Sequence, residues 1–389
     1  MSKLITNTVR HTAGSADNIT LDNSQNVTVE GNLTVDGTTT LTGAVTLPDG
    51  TTPDTLSFRN LIINGAMNVA QRGTSSTSSG YQTVDRFTTA LTGVDENPTQ
   101  AQHALTSSDT GPWEKGFRFS YHLTNGNQTS GAGGADYVFL YQNIEAQNIA
   151  SSGWDYTSAS SYITLSFWVR SSVAQNFFGY IRSRDGTEQS RSFQTGSLSA
   201  NTWTKITKAI PGNSNIQIDN NSAVGLGVYL APFFGADYTD DSKTVDTWSA
   251  YVSGERTPDT PSTWYTTNDA TLEITGVQLE VGDTATEFEH RSYGDELARC
   301  QRYYRLQSKS RASGKLGGSQ NYVSMVSFPL SPQMRNTPTV LMYGSASYNG
   351  NVSTIDTVNV TLDHIGIMAN ISDGNYYYYN NGWTADAEL

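Results

Sequence analysis

The sequence predicts an all-β protein: an elongated homotrimeric β stalk, a jelly-roll β-sandwich, then a smaller C-terminal β-sandwich, with one short helix between the two sandwiches. Three observations carry this. Gly31, Gly37 and Gly43 recur every six residues, separated by alternating pairs. From about residue 58 to about 290 short alternating segments follow one another with almost no helical periodicity. One stretch alone, Ser292–Leu306, changes to a helical period.

Residues 16–57 are read as the trimerising stalk and its connector. The pairs Val27/Val29, Leu33/Val35, Thr39/Leu41 and Val45/Leu47 keep the same beat, with Ile19/Leu21 as an earlier, less regular member. Alternation at period two indicates strand, and a glycine after each pair indicates a turn needing positive φ or close backbone approach. Short strands repeated at fixed spacing form a rod rather than a globule. Its apolar side chains are too few to order one chain by themselves. Identical copies closing over Val27, Val29, Leu33, Val35, Leu41, Val45 and Leu47 would seal the apolar face and remove open strand edges.

Residues 58–291 form the predicted jelly roll. Leu61, Ile62 and Ile63 end at Asn64-Gly65, a turn signal. Strands are expected at Gly116–Leu123, Tyr137–Ile144, Tyr162–Ser171, Phe177–Arg184, Thr202–Ile210, Ala223–Phe233 and Leu272–Gly282. In the last, Ile274 and Val277/Leu279/Val281 belong to different phases, which predicts a β-bulge at Gly276. Residues 292–314 are helix and linker: Tyr293, Leu297, Cys300 and Tyr304 share a face, and Ser292 with Asp295 has capping-box spacing. Residues 315–389 form the terminal sandwich, whose strands lie within Tyr322–Leu330, Thr337–Ser345 and Thr357–Ser372.

Composition narrows the function. Of 389 residues only 15% are charged, and the net charge is −13. With no basic patch to displace phosphate counterions, the charge argues against a nucleic-acid partner, and membrane insertion finds no apolar run of sufficient length. The first residues, MSKLITNTVRHTAG, lack the apolar core of a secretory signal. A single cysteine, Cys300, allows no disulfide within the chain and reads as a buried small hydrophobe. The five histidines are scattered with no paired metal spacing, and no nucleophile motif occurs, so the protein is read as not an enzyme and as needing no cofactor. The acidic clusters Asp237, Asp240, Asp241 and Glu280, Asp283, Glu287 are read as solvated turns, with glycosidase carboxylates or a structural calcium as alternatives.

Sugar recognition requires flat aromatic faces beside polar groups. Aromatic residues in predicted loops are therefore the candidates: Trp113, Trp154, Trp248, Tyr251, Trp264 and Tyr265. Trp168 and Trp203, inside strands, are read as packing. Tyr376, Tyr378 and Trp383 form a second candidate surface at the outer end. Lys3, Arg10 and His11, ahead of the stalk, belong either to a frayed tail or to a peptide ordered on docking.

The N-terminal SKLITNTVRHTAGSADNITLD and the hexad stalk resemble the proximal end of tail fibres and related virion appendage proteins of tailed bacteriophages, notably marine ones. NLIINGAMNVAQRG, YQTVDRF, LSFWVRSS and LEITGVQLEVGDTATEFEHRSYGDELARCQRYY are similar to a carbohydrate-binding jelly-roll module of such proteins, and FPLSPQMRNTPTV with ADAEL to the sandwich that often follows. The resemblance implies a homotrimeric fibre made in the host cytoplasm and located in the virion. Its N-terminus would be held by tail, baseplate or adaptor proteins, and its distal domains would bind host polysaccharide or lipopolysaccharide during adsorption. A polysaccharide depolymerase of the tailspike type and a non-binding adaptor are the alternatives.

Overall fold

A computed structural model of the chain describes residues 8–9, 19–21, 27–29, 59–308, 310–316, 322–342, 347–348, 352–371, 374–380 and 382–389. Met1–Leu47 and Pro48–Leu389 are separate compact units. In the first, β1 (Thr8–Val9), β2 (Ile19–Leu21) and β3 (Val27–Val29) form an antiparallel sheet in sequence order. Ile19 pairs with Val29 and Leu21 with Val27. The other stalk positions, Leu33, Val35, Leu41, Val45 and Leu47, and the attachment candidates Lys3, Arg10 and His11, lie outside the described residues.

The second unit is all-β and is built on a sandwich. Its strands are β4 (Ser75–Ser76), β5 (Thr88–Thr92), β6 (Thr99–Ala104), β7 (Phe119–Thr124), β8 (Tyr137–Glu145) and β9 (Tyr162–Ser171). They continue with β10 (Asn176–Ser183), β11 (Gln189–Ser197), β12 (Thr204–Pro211), β13 (Val224–Phe234), β14 (Trp248–Ala250) and β15 (Thr271–Val281). One six-stranded sheet has the order β14-β11-β10-β13-β8-β5, the other β12-β9-β15-β7-β6-β4. Each strand sends alternate side chains into the space between the sheets. Leu140, Ile181, Phe193, Leu226 and Leu230 enter from the first, and Leu123, Ile163, Leu165, Val169, Ile274 and Leu279 from the second. Jelly-roll-like packing of two sheets over one core follows.

Local signals place the entry and the bulge. Asn64 sits at φ 62° with its side chain bonded to Val69 and Asp85, and a Cβ on Gly65 would meet the Val277 carbonyl at 2.0 Å. The pairing of β15 with β9 shifts register between Thr275 and Gln278, with Gly276 at φ 63°, as the phase change in the sequence predicts.

Helices are short among the described residues: α1 (Ala146–Ala150), α2 (Thr263–Thr266) and α3 (Tyr293–Gln301). None is long and apolar enough to cross a membrane. Ser292 caps α3 by accepting from the Asp295 amide. The helix stops earlier than its pattern predicts, because tertiary bonds capture the next residues. Arg302 forks onto both Glu145 oxygens at 2.8 Å, Tyr303 donates to Glu145 at 2.6 Å, and Tyr304 already pairs with Asp386. Tyr293, expected on the apolar face, is exposed, while Cys300 is buried beside Val69 and Tyr303.

The C-terminal strands are β16 (Tyr304–Gln307), β17 (Ser310–Leu316), β18 (Tyr322–Pro329), β19 (Thr339–Met342), β20 (Ser347–Tyr348), β21 (Val352–Val358), β22 (His364–Ile371), β23 (Gly374–Asn380) and β24 (Trp383–Asp386). They pair as β16-β24-β19, β17-β23-β20 and β18-β22-β21. The apolar run Thr357–Ser372 divides at Asn359, φ 52°, so that β21 and β22 form a hairpin.

A buried charged cluster joins this region to the sandwich. Arg86 pairs with Glu388, and Arg72 reaches Asp386 at 3.1 Å and Glu388 at 3.3 Å. Arg335 donates to the carbonyls of Ala387, Ser222 and Glu388 at 2.8 to 3.0 Å. Burial pushes the neighbouring Asp85 carboxyl up to about 6 from its ordinary 3.8, against hydrogen bonds from Gln71 and the charge of Arg72. The folded state therefore holds this proton more tightly than the unfolded chain. Stability present at low pH is lost, by about 3 kcal/mol, as pH rises from about 4 to about 6. Denaturant unfolding across this window is expected to show that slope in the wild type and not in Asp85→Asn. Parallel curves would refute it.

Candidate functional site

The first sheet turns its outward residues into an aromatic row. Register places Ser192 opposite Tyr180, Tyr180 opposite Tyr229, and Tyr229 opposite Tyr141. Cross-strand partners share a face, so the rings stack: Tyr180 on Tyr229 at 4.4 Å and 5°, Tyr229 on Tyr141 at 5.1 Å and 23°. Burial raises the pKa of all three phenols above the ordinary value, so each stays neutral at physiological pH. The connection after β13 supplies more aromatic contacts to this cluster. Tyr251 stands 6.4 Å from Tyr180 with the Arg182 guanidinium 3.4 Å from its own ring, and Arg256 lies 4.5 Å from the ring of Tyr238. Tyr180 and Tyr229 are only 1% and 4% exposed. The row is a rigid floor rather than an open surface.

The open site lies at the sheet edge. Among the described residues β14 pairs only with β11, and a groove of about 420 Å³ runs beside it, lined by Trp248 with Thr187, Gln189, Ser214, Asn215 and Gln217. Such a volume falls within the roughly 300–1,000 Å³ of small-ligand clefts. The Trp248 indole donates to the Pro211 carbonyl at 2.8 Å and packs partly on the core, which fixes the ring while leaving it half-buried. Among the described residues, the side chains of Thr187, Ser214, Asn215 and Gln217 have no hydrogen-bond partner. An immobilised apolar ring with uncommitted hydroxyls and amides around it suits a neutral polyhydroxylated ligand. A larger groove, about 720 Å³, lies at Arg72, Tyr304 and Glu388, but its charges are already paired in the buried joint.

The other aromatic candidates are placed differently. Trp154, Trp264 and Tyr265 are corrected to core residues. Trp154 donates to the Ser161 carbonyl at 3.2 Å, and Tyr265 stacks on Phe233 at 4.4 Å. Asn125 draws the α2 turn inward by donating to the carbonyls of Trp264, Tyr265 and Thr267. Loop position hid this, because an irregular backbone tied down by one asparagine can still send large rings inside. Trp113 is half-buried, and Arg118 stacks 3.8 Å from its ring while bonding its carbonyl. Trp168 and Trp203 join Trp113 in a small cluster on the second sheet. Trp383 is also corrected: it is 1% exposed in the C-terminal core. Tyr376 and Tyr378 lie in β23, and their side chains fall outside the described residues.

The outer face of the second sheet carries charge instead. Its register aligns His122 with Glu273 and Glu273 with Arg170. Burial would push Glu273 up, but the neighbouring His122 and Arg170 hold it down at about 2, so it is a carboxylate. Of the acidic candidates, Glu280 is buried in β15 and accepts hydrogen bonds from Gln278 and Thr286. Asp240 accepts from the Ser242 amide within its own turn.

No protein-family model matches the chain, and no curated protein matches it. Some solved structures are similar to part of it. A putative sugar binding protein from Bacteroides thetaiotaomicron is 12% identical over 57% of this chain and 99% of its own, with a TM-score of 0.30. The enzymatically active domain of tailspike protein 4 from bacteriophage CBA120 is 12% identical over 57% of this chain and 21% of its own, with a TM-score of 0.29. The N-terminal cellulose-binding domain of a Cellulomonas fimi β-1,4-glucanase is 8% identical over 56% of this chain and 99% of its own, with a TM-score of 0.26. These are partial likenesses, and the functional reading rests on the surface of this chain.

Proposed function

We propose that the protein is a glycan-binding virion appendage of a tailed bacteriophage, a homotrimeric tail fibre that adsorbs to host surface polysaccharide or lipopolysaccharide and does not cleave it. The observation that carries the binding part is the groove at β14, where a fixed Trp248 indole faces uncommitted hydroxyl and amide groups. Sugar rings offer such a site an apolar C–H face for the indole and a rim of hydroxyls for Asn215 and Gln217. The −13 net charge favours neutral over anionic polymers. The fibre part is supported by the hexad stalk and by the resemblance of the N-terminal segment to phage appendages.

Titration of the full-length protein with purified host surface polysaccharides is expected to show binding, weakened about tenfold or more in Trp248→Ala and in Gln217→Ala paired with Asn215→Ala. The paired amide variant leaves the core untouched, so its loss of binding with an unchanged melting transition separates recognition from folding. Absence of binding across a polysaccharide panel, or binding indifferent to both variants, would remove the groove from this role. Native mass measurement is expected to give a trimer; a stable monomer would remove the fibre.

A further inference from the structure

We propose that His103, His122 and Glu273 form a binding site for a divalent cation of the zinc class on the outer face of the second sheet, with a fourth position open to solvent. The three residues come from β6, β7 and β15, adjacent strands of one sheet. His103 is the register partner of Ser120, and His122, two residues along on the same face, is the partner of Glu273. Sequence separation conceals the group, since the histidines are 19 positions apart and Glu273 lies 151 positions beyond His122.

Two of the three ligand-to-ligand distances match the edges of a coordination tetrahedron. His103 Nδ1 lies 3.3 Å and His122 Nδ1 3.4 Å from the same Glu273 oxygen, Oε2, and the three donor atoms all fall within 4.8 Å. Good N–H···O bonds are shorter, roughly 2.7–3.2 Å. A tetrahedral zinc with bonds of about 2.0–2.2 Å has ligand-to-ligand edges of roughly 3.3–3.5 Å. His122 Nδ1 is buried and finds no hydrogen-bond partner, as an unfilled ligand atom would.

The surrounding groups orient these ligands in the way metal sites require. His122 Nε2 lies 3.1 Å from Thr124 Oγ1, a hydroxyl able to accept the Nε2 proton of the tautomer whose Nδ1 binds metal. Ser120 donates to Glu273 Oε2 at 2.8 Å. Arg170 holds the other oxygen, Oε1, at 2.6 Å and is itself paired with Asp109 at 2.7 Å. The guanidinium thus fixes the carboxylate from its far side, and Asp109 offsets its charge. The donor set of two imidazoles and one carboxylate oxygen selects zinc over calcium or magnesium, which take oxygen ligands. His103 is 49% exposed, which provides the entry path.

The test uses the full-length protein after chelator treatment, with zinc chloride as the titrant and melting temperature and calorimetry as readouts. Zinc is expected to raise the melting transition by several degrees and to bind at about one equivalent per chain through this group, whereas calcium leaves the transition unmoved. His103→Ala, at a half-exposed position, is expected to melt like the metal-free wild type and to bind zinc at least about tenfold more weakly. Cobalt in place of zinc is expected to give the intense visible absorption of four-coordinate sites, lost in the same variant. No zinc-dependent shift, or a shift that His103→Ala and Glu273→Gln leave intact, overturns the site and leaves the three residues as a hydrogen-bonded ion cluster.

Discussion

Glu388→Ala is expected to destabilise the second unit by about 3–5 kcal/mol, the cost of leaving a buried charge without its partner. Arg86 is 1% exposed, and Glu388 is the acid that answers it. Burial alone would lower the pKa of the guanidinium, but Glu388 and Tyr303 hold it above the ordinary value; without Glu388 it still stays charged, because an arginine's own value lies far above neutrality. Its remaining contacts, the Asn143 carbonyl at 2.7 Å and the Tyr303 ring at 3.5 Å, are dipoles that cannot neutralise it. Arg72 loses one of its acids in the same stroke and keeps Asp386. Glu388→Gln retains the shape and one acceptor, so it is expected to cost less. Urea unfolding at neutral pH checks both, and a change under about 1 kcal/mol in the alanine variant would mean that water reaches Arg86.

Trp264→Ala is expected to cost about 3–5 kcal/mol through lost burial and the cavity that remains. Trp264 is 0% exposed and belongs to the core formed by both sheets. Its neighbour Tyr265 stacks on Phe233, and Asn125 clamps the turn that carries both, so the site has little freedom to collapse into the void. The contrast with Trp248 is diagnostic. On the proposed function, loss of Trp248 is expected to show mainly in glycan affinity, whereas loss of Trp264 is expected to show in the unfolding midpoint. Equal effects of the two substitutions on stability would contradict the placement of Trp248 at a groove.

Strands rich in apolar residues were legible. β9 occupies the predicted Tyr162–Ser171 with Ile163, Leu165, Phe167 and Val169 buried, since period-two alternation is a direct imprint of a half-buried strand. β11 was not visible: in Gln189–Ser197 only Phe193 joins the apolar core, and the other residues are polar or glycine. β5, β6 and β14 carry equally weak patterns and owe their conformation to the strands beside them. The Ser292 cap was readable because capping is a local bond, but the helix end was not, because Glu145 ends it from far along the chain.

Local chemistry therefore determined the all-β class, the bulge at Gly276 and the start of α3. Tertiary structure decided which aromatic rings are surface and which are core, sending Trp264, Tyr265, Trp154 and Trp383 inside and leaving Trp248 at an edge. It also assembled the Tyr180, Tyr229 and Tyr141 stack and the grouping of His103, His122 and Glu273. The reason is the same in each case. Burial and cross-strand register depend on which strands become neighbours, and in an antiparallel sandwich those neighbours are set by contacts between residues far apart in the chain.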